Sequence, residues 1–408
     1  MAPRRIRMFL LAHGASAFSM GVHQVLLAWL AISMLHLQAQ HLGWVQAAGL
    51  LPSLALMLFA GALADKRNAI SIMVVAQTLQ SACFLLLALL VYFNSLNYVG
   101  LMVYAAAVGM TNAFVQPVRE KVVGELSDHS FQLKITRASI VQFSLQAIGI
   151  VVASLSDHAG LLLVILVQTA VALLAALQLK TLSRVLATEK PEPSAVGSDI
   201  DITVEASLSG HIVEVLQKVL RESPIAQLVA LVSFNGFMHM GLFIVAIPIL
   251  ARDVYGFSAL QYGLLQFCFV SGMLAAYLIL MFKPRIDYPG QGALFSLLYT
   301  AIVGFALSRE PTIIGLYILI VFWGWIAGYS STHCRLLMQI LAAPGMRGRL
   351  MSVYQLMLFG MAPLGALSVG YSLSLFSLSD VFRAMSIAST AIFVAFLFSR
   401  ELWAIKQS

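Results

Sequence analysis

Three histidines and a group of amides are the side chains best placed to do chemistry in this chain. His13, His23 and His239 lie inside long apolar runs, whereas all 17 acids fall in loops or at the ends of such runs. An ionisable group at that depth is costly and marks a functional position unless it is tied up between helices. Imidazole changes charge near neutral pH, so a buried pair could take up and release a proton. The competing reading is a set of neutral rings hydrogen-bonded between helices. At about 100° per residue, His13, Ser16, His23 and Gln24 fall within an arc of roughly 100°, a face turned to a helix-bundle interior. Gln77, Gln80, Gln142, Gln146, Gln168, Asn235 and Gln266 add uncharged polar groups. These could hold a solute or join helices to one another.

Phe18 to His23 and Phe234 to His239 share an F-x4-H spacing, and both residues repeat at an offset of 216. The offset predicts that the first and seventh apolar segments are repeat mates whose histidines face each other.

The elements that must position these groups are membrane spans. The chain has 408 residues, of which 60% are hydrophobic and 10% charged, with a mean hydropathy of +0.91. Charged residues approach about a quarter of a soluble globule, so this composition excludes one. Twelve apolar segments reach the length needed for about 30 Å of hydrocarbon. They cover 8–35, 43–64, 70–93, 98–117, 136–155 and 159–179, then 224–250, 259–282, 290–307, 312–333, 350–372 and 379–398. The first has a basic start like a signal peptide, but its apolar run is too long for one and reads as a span. With the N-terminus cytoplasmic, 21 of the 24 Lys and Arg fall inside, and Arg252, Arg309 and Arg383 fall outside. The net charge of +7 therefore reflects topology, not nucleic-acid binding. Cys83, Cys268 and Cys334 have no metal-ligand or redox spacing and read as small apolar residues.

The organisation expected is an N-terminal six-helix half over 1–179, a cytoplasmic linker over 180–222 and a C-terminal six-helix half over 223–408. In the linker, Leu208, Ile212, Val215, Leu216, Val219 and Leu220 recur at helical spacing and predict an interfacial amphipathic helix.

The stretch Pro52 to Asn68 ends in Gly61-Ala-Leu-Ala-Asp65-Lys66-Arg67, a helix end with a small packing residue, an acid and two bases. It resembles the loop signature between helices two and three of the major facilitator superfamily. A second pattern runs from Pro344 through Arg347, Arg349 and Ser352 to Gly360, Pro363, Gly365 and Gly370, with Gln116-Pro117-Val118-Arg119 at the end of the fourth segment. It is similar to the bacterial exporter branch related to enterobactin and macrolide efflux proteins. The resemblance implies an all-α membrane fold of 12 transmembrane helices in two pseudo-symmetric halves. It implies a conformational gate in which Asp65 braces the start of helix eleven near Ser352 with Arg119 beside it. Gly61, Lys66, Arg67, Arg347 and Arg349 complete that gate, and Gly360, Pro363, Gly365 and Gly370 pack helices. Two departures stand out. The signature's second copy is degraded to Lys283-Pro-Arg-Ile-Asp287, and helix one lacks the acid that relatives often carry.

No phosphate-binding loop, no H-E-x-x-H and no paired intramembrane acids occur, so neither ATP-driven transport nor intramembrane proteolysis is expected of this chain. The reading is a secondary transporter of the bacterial inner membrane with both termini cytoplasmic. It is expected to export amphipathic or hydrophobic small molecules against protons, by alternating access. His13, His23, Gln24, Gln142, Gln146, Asn235 and His239 are the expected substrate and proton path. Partners are the solute, protons and lipid, with no cofactor, no metal, no nucleic acid and a monomeric state. A lysolipid flippase and a non-transporting sensor remain alternatives on the same fold.

Overall fold

The computed structural model describes residues 2–66, 68–125, 131–188, 223–282, 286–342 and 347–406. Among the described residues there is no strand, and twelve long helices follow one another. The first is α1 (Ala2–Trp29), continued by a π-turn at Leu30–Met34, followed by α2 (Ala39–Lys66), α3 (Ala69–Tyr92) and α4 (Tyr98–Glu125). Next come α5 (Phe131–Ser154), α6 (Leu161–Thr188) and the composite α7 (Ser223–Val254). The last five are α8 (Ala259–Met281), α9 (Pro289–Leu307), α10 (Ile313–Leu341), α11 (Arg347–Leu375) and α12 (Leu378–Ser399). Ten stretches, from Arg5–Met34 to Leu378–Phe398, are long and apolar enough to cross a membrane, and α5 adds the shorter apolar helix Ile140–Ser154. The protein is a multi-pass membrane protein. Each apolar segment read from the sequence contains one helix.

Several helices outrun their apolar segments: α4 reaches Glu125, α10 reaches Leu341, and α6 passes the expected boundary at 179 to Thr188. Backbone hydrogen bonding continues into water where hydropathy already ends, which is why composition places these ends short. Where turns are tight, side chains close the helix starts. Asn68 accepts from the N–H groups of Ile70 and Ser71 at the start of α3, and Ser258 forms a capping box with Gln261 at the start of α8. The expected linker helix over Leu208–Arg221 lies outside the described residues.

Packing follows a membrane rule, in which small residues let helix backbones touch. A Cβ on Gly149 of α5 would lie 2.1 Å from the Phe18 carbonyl oxygen of α1. A Cβ on Gly365 of α11 would lie 1.9 Å from the Phe237 carbonyl oxygen of α7. Thus α1 packs on α5 as α7 packs on α11, which is the pseudo-symmetry expected of two repeats.

These contacts also fix the register of the repeat, and it is not the offset of 216. Phe18 and Phe237, which meet equivalent glycines, are 219 positions apart. The π-turn ends match at 220: Leu35 N–H bonds to Leu30 O and Leu37 N–H to Ala31 O, while Tyr255 N–H bonds to Leu250 O and Phe257 N–H to Ala251 O. The mate of His23 is therefore Leu242 or Phe243, and His239 stands about one helical turn nearer the end that carries the termini. The F-x4-H match is a coincidence of spacing. In addition, α7 contains π-segments at Asn235–Met240 and Leu242–Ala246, with Pro248 beyond them, where α1 stays α-helical to Trp29. Wider π-turns take up residues that a repeat count on sequence cannot see.

The two halves meet tightly at the end of the bundle opposite the termini, called here the far end. Gly43 and Gly370 bring α2 and α11 into backbone contact there, and Trp44 donates to the Tyr371 hydroxyl over 3.1 Å. The Gly263 backbone of α8 abuts Ser154 of α5, and Trp29 stacks on Tyr262 with ring centroids 5.5 Å apart.

Candidate functional site

Below the stacked Trp29 and Tyr262, a chain of amides crosses between the halves. Gln146 of α5 donates to Gln24 of α1 over 3.0 Å. Gln24 in turn donates to Gln266 of α8 over 3.0 Å, and Gln266 donates to the Tyr262 hydroxyl over 2.8 Å. Gln266 is buried, whereas Gln24 and Gln146 are only half-buried. Gln142 lies one turn below Gln146 on the same face of α5, also half-buried. The link from Gln24 to Gln266 is a side-chain bond between the two repeats. It carries no formal charge at either end, so it can be exchanged for a solute's polar group without stranding a buried ion.

The histidines occupy different surroundings. His23 is buried between α1, α3 and α4, its Nδ1 2.8 Å from the Tyr104 hydroxyl and its ring 6.3 Å from that of Phe84. His239 sits between α7, α9 and α10. Its Nδ1 accepts from the Trp323 indole over 2.7 Å, and its Nε2 lies 2.9 Å from the Thr300 hydroxyl. Each ring is thus engaged by its own half, so the expectation that the two face each other is corrected by these contacts. His13 is buried on α1 and stacks with Phe9, centroids 6.1 Å apart.

Asn235 belongs to a second polar cluster, within the C-terminal half. Its amide donates to Ser330 over 3.1 Å, Ser296 donates to Ser330 over 3.0 Å, and the Thr300 hydroxyl donates to Ser296 O over 2.8 Å. Sequence reading selected Gln24, Gln146, Asn235 and the histidines, but not the aromatic partners Tyr104, Tyr262 and Trp323. Their signal is chemical: an aromatic with a polar tip, fully buried among apolar neighbours, needs a partner.

Arg67 lies outside the described residues, as do the side chains of Gly61, Asp65, Lys66, Arg119, Arg347, Arg349 and Ser352. The backbone places Asp65 and Lys66 at the end of α2, Arg119 in the last two turns of α4, and Arg347, Arg349 and Ser352 in the first two turns of α11. All of these are on the terminal side. Within α11, Gly365 and Gly370 face backbone of α7 and α2, Gly360 faces the Leu54 side chain at 3.4 Å, and Pro363 sits inside the helix. Among the described residues no cluster of His, Cys, Asp or Glu could hold a metal ion.

Comparison with known proteins agrees with this fold. The sequence profile of the Major Facilitator Superfamily matches residues 9–366. The Staphyloferrin A transporter of Staphylococcus aureus is 24% identical over 386 residues, covering 92% of this chain and 91% of that protein. Among solved structures, the nucleoside transporter NupG aligns with a TM-score of 0.74 at 12% identity, over 97% of this chain and 99% of that one. Tetrameric PepTSo2 aligns with a TM-score of 0.73 at 12% identity, over 98% and 100%. A bacterial homologue of the lysosomal transporter Spinster, solved inward-facing and unoccupied, aligns with a TM-score of 0.63 at 15% identity, over 98% and 96%. At these identities the structural likeness speaks for the fold alone.

Proposed function

This chain belongs to the Major Facilitator Superfamily, and we propose that it is a proton-coupled exporter that moves an amphipathic small molecule by alternating access. The observation that carries this reading is the amide chain from Gln146 through Gln24 to Gln266, which joins the halves without a charge. An uncharged clasp of donors and acceptors suits a neutral or anionic solute. A cationic drug would want a buried carboxylate instead. The solute displaces the Gln24–Gln266 bond, the halves rock, and the far end opens.

The positive-inside distribution supports placing the termini in the cytoplasm of the bacterial inner membrane. On that placement the closed far end is the external one, and the halves rock to open it. His23 is the proton carrier in this reading. Its partner Tyr104 carries a hydroxyl that can donate to a neutral ring or accept from a protonated one, so the bond survives either state. The proposal includes no chemical step on the solute, and a monomer suffices.

The similarity to the Staphyloferrin A transporter supports including siderophores among the solutes tested. Everted vesicles with an acidified interior and a pH-reporting dye receive siderophores, macrolides, lysolipids and cationic dyes in turn. Proton release on addition of one class, several-fold faster in wild type than in the Asp65→Asn variant, is the expected result. Silence across the panel with correctly inserted protein overturns coupled export. A fluorescent lysolipid that flips without proton movement then identifies the flippase alternative.

A further inference from the structure

Three basic residues sit at the far end against the general charge bias, and only one of them reaches across the halves. Arg309 lies over the Phe305 ring at 5.1 Å, and Arg383 pairs with Asp380 one turn away on its own helix at 3.2 Å, half-exposed. Arg252 is different. It stands in the π-turn that ends α7, and its Nη1 donates to Ile32 O over 3.1 Å and to Leu37 O over 3.0 Å. Ile32 lies in the π-turn that ends α1 and Leu37 in the loop just after it, both in the other half.

The chemistry of that helix end explains the contact. The last carbonyls of a helix have no intrahelical donor and carry partial negative charge. The π-turn of α1 uses Leu30 O and Ala31 O for Leu35 and Leu37, leaving Ile32 O to Arg252. Asp253 takes the other edge of the guanidinium, with Nη2 donating to its Oδ2 over 2.9 Å and Nε bonding Oδ1. The fork is therefore held so that Nη1 points at α1.

The reverse arrangement lies beside it. Asp157, in the short helical turn Ser156–Ala159 between α5 and α6, accepts from Ala259 N–H over 2.9 Å, at the first residue of α8. An acid of the N-terminal half docks on a helix start of the C-terminal half, where the dipole favours an anion. A base of the C-terminal half docks on a helix end of the N-terminal half, where it favours a cation. At the repeat offset of 220, Arg252 is the mate of Ile32, the residue whose carbonyl it binds. The contact therefore sits where the repeats meet about their own symmetry, and the apolar Ile32 makes it one-sided.

We infer that Arg252 and Asp157 form a two-part latch that positions the halves with the far end closed and must release for that end to open. The inference rests on the alternating-access reading, and its test needs no substrate. The full chain, with its native cysteines replaced, carries spin labels at Tyr92→Cys and Ile314→Cys, exposed far-end positions in opposite halves. Electron–electron distances are recorded in lipid nanodiscs. The expected result is a single short distance in the parent. A second, longer distance appears in Arg252→Met and in Asp157→Asn, with a larger population in the double variant, while Arg383→Met behaves as the parent. Arg252→Lys, which keeps the charge but not the fork, falls between. Unchanged distances in Arg252→Met and Asp157→Asn overturn the latch. Because Asp157 is exposed, its variant tests the idea even if Arg252→Met does not fold. A shifted distribution combined with a silent proton-flux panel keeps the latch and rejects the transport reading.

Discussion

Trp323 donates its indole N–H to Nδ1 of His239 over 2.7 Å, and that one bond defines the ring. Indole nitrogen is a donor only, so Nδ1 must accept and the imidazole is the neutral form with its proton on Nε2. That proton goes to Thr300, whose hydroxyl passes its own to Ser296 O. Protonating Nδ1 would set two N–H groups against each other in a buried site. His23 faces no such restriction, because a tyrosine hydroxyl serves as donor or acceptor.

The two histidines should therefore separate in function. His23→Gln is expected to abolish solute-driven proton release while leaving the protein inserted. His239→Gln keeps an acceptor toward Trp323 and is expected to retain coupled transport. Proton flux in everted vesicles checks both, and loss of coupling in the His239 variant alone would reverse the assignment.

The clasp between the halves gives a second expectation. Gln24→Leu strands an acceptor on Gln266 and a donor on Gln146, and Gln266→Leu strands a donor on Gln24. An unsatisfied group as buried as Gln266 costs about 1–3 kcal/mol, the half-buried amides of Gln24 and Gln146 lose less because water can reach them, and removing both partners together costs less than stranding one. Thermal unfolding of the two single variants and the double should give a non-additive cycle, with the double variant no less stable than the worse single. Solute transport should fall in all three.

Much of this was legible in the sequence, and the limits are physical. Hydropathy located every helix because a span must be apolar over its whole length. Gln24 and Gln146 were found because an amide on an interior face has to be paired. Tyr104, Tyr262 and Trp323 were not, because an aromatic in an apolar run looks like core until its polar tip is seen to meet a partner. The repeat register is not legible from the shared F-x4-H spacing, because which residue of α1 matches which of α7 is set by backbone contacts such as Phe18 and Phe237 on their facing glycines, and the π-turns of α7 take up one further residue. Arg252 was visible as an exception to the charge bias, but its acceptor is backbone, and backbone carbonyls leave no trace in residue types.

The terminal side of the bundle gives a third expectation. Asp65 ends α2 there while α11 begins at Arg347, and the family resemblance pairs that acid with the start of helix eleven. Asp65→Asn keeps size and hydrogen bonding but removes the charge that favours a helix start, a contribution of about 0.3–1 kcal/mol and up to about 2 when partly buried. A tenfold change in the balance of states corresponds to about 1.4 kcal/mol. The variant should insert normally, transport several-fold more slowly and favour the state open on the terminal side. Labelling of an engineered terminal-side cysteine by an impermeant maleimide measures that balance, and wild-type rates would count against the gate.

Two glycines in α11 separate backbone contact from loose packing. A Cβ on Gly365 would sit 1.9 Å from the Phe237 carbonyl oxygen, and neither backbone can yield without parting α7 from α11. On Gly360 the nearest atoms are the Leu54 methyl groups at 3.4 and 3.6 Å, the ends of a flexible side chain. Overpacking of this kind costs about 1–3 kcal/mol where the surroundings cannot adjust. Gly365→Ala should therefore lower the unfolding temperature by a few degrees and weaken transport, because α7 and α11 move as a packed pair. Gly360→Ala should be neutral or slightly stabilising, since alanine is favoured over glycine within a helix. Thermal unfolding of the purified variants in detergent decides this, and equal effects at the two positions would mean that α7 and α11 are not held by backbone contact at Gly365.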